Sequence, residues 1–455
     1  MRLSLRLRYQ KKRTLVLSIL AFICCMFLYL LIKHRPSLLS PDSFGHAPEE
    51  DYIHAQQLKL TRYPIPGSFI ERNVPSNYSY CHFKYNLPGE LNYRESDLKF
   101  SPQLGGRGTY RVLYNVIEGQ EQLNNYTGPP SITYCTHLTP HFVYHIAEIV
   151  RYWETAISVA AFVPDVDADV TVQLLKHLCH CLPGMRRLSV HFVFPDNRPP
   201  YVVQRSNSKS KCLVPDVTDL ETYRNRENLP YPVNVCRNVA RTAARTSHVL
   251  VSDVELIPSD RLATKFIDML QHVRIANVAA NHVFVVPVFE VDSGVSVPRN
   301  KVELKRLYDD EKAVYFHRWV CQHCQKFPGL VKWLNKPTNE DVIKPFIVAR
   351  REDPFHRWEP IYIGTNKEPF YSETLSWEGQ QDKMTQMVEM CLIGYKFVIL
   401  DGAFLVHWPG IKRRTTESKV RNAWRKPHQR QNTKQYDVII NYLASKYTEN
   451  DKCKL

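Results

Sequence analysis

Two acidic residues, Asp253 and Glu255, lie one residue apart just after an apolar run that spans 249–251. The β-branched and aliphatic side chains of that run are typical of a buried strand. In an extended backbone, residues two apart point to the same side, so both carboxylates would face one point at the carboxyl end of the strand. Open α/β sheets bind ligands at that edge. Two hard oxygen ligands suit Mn²⁺ or Mg²⁺ held with the phosphates of a nucleotide, whereas two solvated acids at a strand end remain the structural alternative.

A second group of acids, Glu373, Glu378 and Asp382, precedes a predicted helix that contains Met387. Asp382 falls near the amino terminus of that helix, where the helix dipole favours a negative charge, and this role would be structural. The functional interpretation is that one of the three carboxylates removes the proton of an acceptor hydroxyl group. Both interpretations remain open at the level of the sequence.

Basic residues accompany both acidic groups. Arg237 begins a run of arginines at every fourth position of a predicted helix over 232–245, which leads into the Asp253 strand. His407 ends an apolar strand and is either a core histidine or a metal ligand. Lys412, which follows Gly410, is placed to reach a diphosphate.

Alternating apolar patterns place these residues in an α/β domain. Strand, helix, strand, helix and strand follow one another at the spacing of βαβ units, which predicts a mainly parallel sheet covered on both faces. The predicted strands are 110–116, 132–135, 156–163, 187–194, 249–251, 278–287 and 396–400, and the predicted helices are 141–153, 170–178, 232–245, 262–270 and 301–307.

The amino-terminal segment 14–32 carries no charged residue and is long enough to cross a bilayer as a helix. Six basic residues precede it, so the positive-inside rule predicts a cytoplasmic tail over 1–13 and a lumenal remainder. No small-x-small site follows the run, which favours a signal anchor over a cleaved signal peptide. Residues 33–105 are rich in proline and polar residues and predict a stem, followed by a catalytic domain over 106–455.

Other features agree with a lumenal domain. Asn77 and Asn125 stand in glycosylation sequons, and ten of the twelve cysteines follow the predicted anchor. Cys81 is a plausible disulfide partner for a cysteine of the domain. For Cys321 and Cys324, a local disulfide or pairing with other cysteines is favoured over zinc, because a second cysteine pair is lacking. The net charge of +15 fits a nucleotide donor or a polyanionic glycan as well as a nucleic acid, and the anchor argues against nucleic acid.

Taken together, the motifs resemble the LARGE-like family of glycosyltransferases, which also contains β-1,4-glucuronyltransferase. The resemblance spans roughly residues 108–445 and is carried by the segments 231–241, 249–259, 286–290, 358–360, 377–386 and 404–412. The chain departs from the family's usual pattern at two places. Glu255 stands where aspartate is more frequent, and the Tyr-Asp-Glu-Arg-Phe segment of the family is replaced at 371–375 by Tyr-Ser-Glu-Thr-Leu.

The resemblance implies a GT-A-type fold that transfers a sugar from a UDP-sugar to a glycan of a glycoprotein with inversion at the anomeric carbon. UDP-glucuronate is the donor that it implies, with Mn²⁺ or Mg²⁺ as the cofactor and the Golgi as the location. It assigns the metal to Asp253, Glu255 and His407, and the donor to Thr136, His137, Arg237, Asn238, Asp253, Gly410 and Lys412. Asp382, Glu378 and Glu373 are the candidates for the base.

Two alternatives remain open. The same fold could transfer N-acetylglucosamine or xylose, because donor choice depends on pocket residues that the sequence does not locate. A catalytically degenerate protein that only binds glycans is the second alternative, and the Asp-x-Glu variant of the metal motif allows it.

Overall fold

The computed structural model describes residues 66–67, 78–120, 130–203, 212, 217, 219–272, 281–413, 419–447 and 452–453. The predicted membrane anchor over 14–32, most of the predicted stem, and the sequon residues Asn77 and Asn125 lie outside these residues. Within the described part of the chain, no helix combines the length and the apolar composition that crossing a bilayer requires.

A large sheet forms the centre of the domain. Its eleven described strands are β1 (His82–Phe83), β2 (Leu98–Phe100), β3 (Tyr110–Glu118), β4 (Ile132–Leu138), β5 (Ile157–Phe162), β6 (Leu188–Pro195), β7 (His248–Val251), β9 (His282–Val285), β12 (Lys344–Ala349), β13 (Tyr362–Gly364) and β14 (Lys396–Asp401). They follow the spatial order β1-β3-β6-β5-β4-β7-β13-β9-β14-β12, and β2 pairs with β3. Strands β4 and β5 are buried along their whole length, as a strand covered on both faces must be.

The sheet is mixed, which corrects the prediction of a mainly parallel sheet. Strands β6, β5, β4 and β7 run parallel to one another, as the βαβ pattern predicts. On either side of them, β3 is antiparallel to β6, and β13 is antiparallel to both β7 and β9. Strand β14 is again parallel to β9, and β12 is antiparallel to β14. An apolar run predicts that a strand forms but does not encode its direction, which depends on the partners that it finds.

A second sheet of four described strands lies next to the site. Its members are β8 (Leu256–Pro258), β10 (Val288–Val291), β11 (Ala313–Tyr315) and β15 (Leu405–His407), in the order β11-β10-β15-β8. The antiparallel register of β15 and β8 places His407 opposite Leu256, the residue that follows Glu255. The parallel register of β10 and β15 places Glu290 beside His407. Residues that are far apart in the sequence therefore meet at one edge.

The α-helices of the described residues lie around the sheets. They are α1 (His145–Tyr152), α2 (Asp167–Cys181), α3 (Tyr223–Arg226), α4 (Val233–Ala243), α5 (Leu262–His272), α6 (Lys301–Asp309), α7 (Gln322–Gln325), α8 (Leu330–Asn335), α9 (Met384–Ile393) and α10 (Lys419–Lys446). The apolar side of α4, with Val235 and Val239, packs in one cluster with Cys135 and Ala160 of the sheet. Because that side is anchored in the core, the polar side of α4 has a fixed direction.

Part of the segment that the sequence analysis assigned to the stem belongs to the folded domain. Strands β1 and β2 pair with β3. Cys81 forms a disulfide with Cys179 of α2, which confirms the prediction that Cys81 pairs with a cysteine of the domain. Three further disulfides join Cys181 to Cys212, Cys321 to Cys324, and Cys391 to Cys453.

Candidate active site

A cavity of about 1190 Å³ opens at the carboxyl ends of β4 and β7. Asp253 and Glu255 line it from the β7 side, and Asp382, Lys383 and Lys412 line it as well. Its remaining walls include α10 and the α7 turn. The position of this cavity agrees with the rule that open α/β sheets bind ligands at the carboxyl edge of their parallel strands.

Asp253 and Glu255 lie in a turn between β7 and β8, which corrects the expectation that an extended strand aligns them. The backbone N–H of Leu256 donates to the Asp253 carbonyl at 3.1 Å. The hydroxyl of buried Tyr134 donates to the Leu256 carbonyl at 2.6 Å and lies 3.2 Å from the Asp253 carbonyl. The turn, held from below by Tyr134, is therefore what directs both carboxylates toward the cavity.

Three cationic or titratable side chains surround the Asp253 carboxylate. Arg237 Nη2 and His137 Nε2 each lie 3.3 Å from Oδ1, and Lys383 Nζ lies 3.6 Å from Oδ2. Burial by itself raises the pKa of Asp253, but Lys383, His137 and Arg237 outweigh it and hold the pKa well below its ordinary value. Asp253 is therefore ionised at neutral pH.

Glu255 faces a separate pair of partners. His407 Nε2 lies 3.4 Å from Glu255 Oε1, and Lys412 Nζ lies 3.8 Å from Oε2. Burial acts to raise the pKa of Glu255, whereas Lys412 and His407 together bring it below its ordinary value. The fully buried Glu290 accepts the backbone N–H of Lys412 at 3.1 Å, so it holds the loop that carries this lysine.

The side chains at the turn fit a divalent cation chemically. Two ionised carboxylates and an imidazole are a donor set that Mn²⁺ accepts. The Nε2 atom of His407 is buried, lacks a hydrogen-bond partner and points at Glu255, as expected of a ligand nitrogen. The ligand atoms of Asp253, Glu255 and His407 do not all lie within 4.8 Å of one another. Among the described residues, the group that meets this criterion is Cys321, His323 and Cys324. Those two cysteines form a disulfide, which removes their thiolates.

Helix α4 contributes Arg237 to the cavity but keeps Asn238 in the core. Arg237 donates to Asp253 and, through Nη1, to Asp382 and Asn234. The buried Asn238 amide instead donates to the Tyr371 carbonyl at 2.8 Å and accepts the Tyr371 N–H at 3.1 Å. Asn238 therefore fixes the 371–373 segment. It does not line the cavity, where the donor contact was predicted.

Of the other predicted donor residues, His137 lines the cavity and Thr136 lies behind it. His137 Nδ1 lies 2.7 Å from the Tyr231 hydroxyl, and burial lowers the pKa of His137. Thr136 is buried, and its Oγ1 has no hydrogen-bond partner. Gly410 does not line the cavity, but its carbonyl lies 3.1 Å from His407 Nδ1 and orients the ring.

The three candidate bases occupy different environments. Glu378 is fully buried. Its carboxylate accepts a hydrogen bond from Arg224 Nη2 at 2.6 Å and another from the backbone N–H of Tyr231. Glu373 is also buried, and its two oxygens accept the backbone N–H groups of Gln103 and Leu104, both at 3.0 Å. Neither Glu378 nor Glu373 lines the cavity.

Asp382 does line the cavity, where it forms an ion pair with Arg237. The structure thus brings only one of the three candidate bases to the cavity, and its carboxylate is neutralised by a buried guanidinium group.

Two charged residues of the cavity that were not predicted from the sequence, Lys383 and Glu359, lie close to the predicted ones. Lys383 directly follows Asp382 and lies near Asp253. Glu359 lies between buried Trp358 and buried Pro360, and its side chain lines the cavity. A carboxylate enclosed by two buried apolar residues is a recognisable signal, but only the fold reveals that it opens into this cavity.

The chain is similar in sequence to known glycosyltransferases. Beta-1,4-glucuronyltransferase 1 of Danio rerio is 29% identical over 343 residues, which cover 70% of this chain and 78% of the relative. Xylosyl- and glucuronyltransferase LARGE1 of Homo sapiens is 22% identical over 288 residues, which cover 61% of this chain and 31% of the relative. In a crystal structure of GalNAc-T7 with UDP, GalNAc and Mn²⁺, the matched part covers 64% of this chain and 46% of that chain at 6% identity, with a TM-score of 0.34.

The model of the family described as "Glycosyl-transferase for dystroglycan" matches residues 131–448. The match begins just before β4 and extends past the end of α10, so it includes every residue of the turn and of the cavity discussed above. Because it covers more than half of the sequence, the chain belongs to this family of glycosyltransferases.

Proposed function

We propose that the protein transfers glucuronate from UDP-glucuronate to a glycan acceptor, with inversion at the anomeric carbon. The observation that carries the proposal is the Asp253–Glu255 turn, which directs two ionised carboxylates into a 1190 Å³ cavity that Arg237, Lys383 and Lys412 also reach. Hard oxygen ligands and fixed cations side by side are what a metal-bound diphosphate requires. The choice of glucuronate rests on the named activity of the relatives, and a GT-A-type arrangement is part of the proposal.

In this proposal, one group of residues holds the metal ion and another group adds positive charge near the diphosphate. Asp253, Glu255 and His407 would hold a divalent cation, and that cation supplies Lewis-acid stabilisation of the diphosphate as it leaves. Lys412 and Lys383 add fixed positive charge near the same phosphates, so charge that develops on the leaving group meets groups that are already oriented. Arg237 is held between Asp253 and Asp382 and keeps both carboxylates in place.

The proposed location is the Golgi membrane, with a cytoplasmic amino terminus and a lumenal domain. The charge-free segment 14–32, the sequons at Asn77 and Asn125, and the disulfides of the domain support it, because disulfides persist in an oxidising compartment. Protease treatment of intact microsomes tests the orientation: the domain is expected to survive until detergent is added. Degradation without detergent would contradict a lumenal domain.

The transfer activity is tested with the full-length chain purified in detergent. Release of UDP is measured from UDP-glucuronate, UDP-xylose and UDP-N-acetylglucosamine, each with Mn²⁺ and with a chelator, for the wild type and for Asp253→Asn. We expect turnover of UDP-glucuronate that depends on the metal and is lost in the variant. Mg²⁺ in place of Mn²⁺ shows which ion the protein uses.

Other outcomes lead to other functions. Turnover of UDP-xylose or UDP-N-acetylglucosamine alone would keep the reaction class and replace the donor. If the wild type neither turns over nor binds any UDP-sugar with Mn²⁺, the transferase proposal fails, and a glycan-binding protein without catalysis takes its place. Binding of glycans by that protein would then be measured directly.

A further inference from the structure

Five acidic side chains line the cavity among the residues that the structure describes: Asp253, Glu255, Glu359, Asp382 and Asp437. The first two belong to the turn and face His137, Lys383, His407 and Lys412. Asp382 forms an ion pair with Arg237, and Asp437 is exposed on α10. Within the described residues, Glu359 alone combines a partly buried position in the cavity wall with a carboxylate that has no hydrogen bond or ion pair.

We propose that Glu359 is the general base that removes the proton of the acceptor hydroxyl group. The inference deepens the transfer reaction proposed above and rests on it. A base must have a carboxylate oxygen free for the substrate, and a carboxylate already bonded to a guanidinium group is a poor base. By this criterion the geometry favours Glu359 over Asp382, Glu378 and Glu373.

The backbone around Glu359 is held firmly, as a catalytic group requires. Its N–H donates to the carbonyl of Cys324 at 2.8 Å, which ties it to the disulfide-closed α7 turn. The indole of the preceding Trp358 is buried in the core, and the Trp358 carbonyl accepts Arg351 Nε at 2.8 Å. Because these two hydrogen bonds fix the peptide group that joins Trp358 to Glu359, the Glu359 side chain starts from a defined position in the cavity wall.

The charged groups around Glu359 come from several elements. Asp382, Lys383, Arg351 and Arg237 act on it electrostatically, and Tyr436 of α10 lies close enough to respond to its charge. His356 and Arg357 precede it in the chain and also line the cavity. Burial first, and then the negative charge of Asp382, raises the pKa of Glu359 to about 7, while Lys383, Arg351 and Arg237 act in the opposite direction. A carboxylate poised near neutral pH can both accept and release a proton.

The step balances without a further reactant. The acceptor oxygen forms a bond to the anomeric carbon while its proton passes to a carboxylate oxygen of Glu359. The bond from the anomeric carbon to the β-phosphate oxygen breaks, and its electron pair leaves with UDP. Protonated Glu359 then releases the proton to water. One base and no covalent nucleophile are needed, as inversion by single displacement requires.

The test compares Glu359→Gln with Glu352→Gln in the full-length chain. Glu352 lies earlier in the same segment, outside the cavity, in a partly exposed pair with Arg350 at 3.5 Å, so it controls for the loss of one carboxylate in this segment. UDP release from UDP-glucuronate is measured with water and with methyl glycosides of common hexoses and pentoses as acceptors. We expect Glu359→Gln to lower kcat about 10²- to 10⁴-fold with an unchanged Kd for the donor, and Glu352→Gln to match the wild type.

The pH profile separates a base from a merely structural residue. Since the carboxylate must be ionised to accept a proton, the activity of the wild type is expected to rise with pH through about 7 and then to level off. Glu359→Gln should lose this rise. Glu359→Asp keeps a carboxylate that is one methylene shorter, so it should retain the rise at a reduced kcat, and it serves as the test if the glutamine variant does not fold.

The outcomes distinguish the two proposals. If Glu359→Gln, or Glu359→Asp in its place, keeps the kcat and the pH profile of the wild type while the wild type turns over its donor, the base proposal is wrong and the transferase proposal stands. If the wild type neither binds nor turns over any UDP-sugar, both proposals fail together. If kcat falls but the rise with pH persists unchanged in Glu359→Gln, another group is the base.

Discussion

Two pairs of acids in this protein, one half-buried at the cavity and one buried in the core, have the same chemistry and different partners. Asp253 and Glu255 face side chains, namely imidazole, ammonium and guanidinium groups. Glu373 and Glu378 accept backbone N–H groups, from Gln103 and Leu104 in one case and from Tyr231 in the other, and Glu378 also pairs with Arg224 inside the core. A side-chain cation can turn toward a ligand, whereas a backbone N–H belongs to the fold.

The partner of a carboxylate therefore indicates the role of that carboxylate better than its position in a sequence motif does. Glu378 and Asp382 belong to one short acidic segment of the sequence, yet one is sealed in the core and the other lines the cavity. We therefore expect the acids of the turn to govern activity with little effect on stability. The acids bonded to the backbone should do the reverse.

The largest effect is expected for Asp253→Asn. The substitution keeps the size of the side chain but removes the charge that faces Arg237, Lys383 and His137. We expect kcat/KM for the donor to fall about 10³-fold, equivalent to about 4 kcal/mol, while the melting temperature changes little. Steady-state kinetics and calorimetry measure the two quantities. If Asp253→Asn instead lowers the stability strongly while its folded fraction has normal kinetics, then the acids of the turn do not differ in role from Glu373 and Glu378.

The next effect is expected for Glu378→Gln, and it concerns stability. The change leaves the largely buried Arg224 without its counter-charge, so the free energy of unfolding should fall by about 3 kcal/mol. The control is Glu389→Gln, which removes a more exposed pair with Lys446 and should cost below about 1 kcal/mol. Denaturant titration measures both. Equal, small losses in the two variants would show that Glu378 does not support the fold.

A smaller effect is expected for Asn432→Ala in α10. The Asn432 amide donates to the carbonyls of Ser376 and Gln380 at 2.9 and 2.8 Å and accepts the Ser376 N–H. Its loss removes three hydrogen bonds to partly exposed backbone groups and should cost about 2 kcal/mol of stability. Since the adjoining Gln380 and Gln381 line the cavity in left-handed backbone conformations, KM for the acceptor should also rise.

The control for this variant is Ser445→Ala, which removes an exposed hydroxyl from the same helix. It should leave both the stability and KM as in the wild type. A rise in KM for the acceptor that is equal in the two variants would mean that Asn432 has no specific part in holding the 376–381 loop.

The smallest effect is expected for Lys412→Ala. Its ammonium group lies at the edge of the cavity, 3.8 Å from Glu255, and remains partly exposed. Solvent screens such a charge, so we expect kcat/KM for the donor to fall only about tenfold. Lys332→Ala, which removes an exposed lysine from α8, is the matched control. No difference between the two variants would remove Lys412 from the donor site.

Much of this architecture follows from the sequence. Apolar runs predict β4, β5, β6 and β7, and helical spacing predicts α4 within a few residues of its observed ends. These elements are local, so their patterns are visible in a single chain. The antiparallel pairing of β13 between β7 and β9 is not visible, because it joins segments that are far apart in the sequence.

The candidate site shows the same limit. Asp253, Glu255, His407 and Lys412 could be proposed from residue type and resemblance, and the structure brings them to one edge. The roles of Glu373 and Glu378 could not be separated from that of Asp382, since burial and backbone partners exist only in the folded chain. Glu359 was missed as a site residue because the sequence shows an acid between two apolar residues but not that the fold places it at the cavity.

The disulfide between Cys391 and Cys453 has a consequence for where the protein can work. It ties the segment after α10 to α9, across a sequence separation of 62 residues, and the two helices share a small apolar cluster of Val388, Ile440 and Leu443. A cross-link of that span contributes about 4 kcal/mol in the loop-entropy description. In a reducing environment α10, which forms one wall of the cavity, would be held by that small cluster and by non-covalent contacts such as those of Asn432 and Lys446. Reduction of this bond would therefore weaken the attachment of one cavity wall, even though no cysteine has a part in the proposed chemistry.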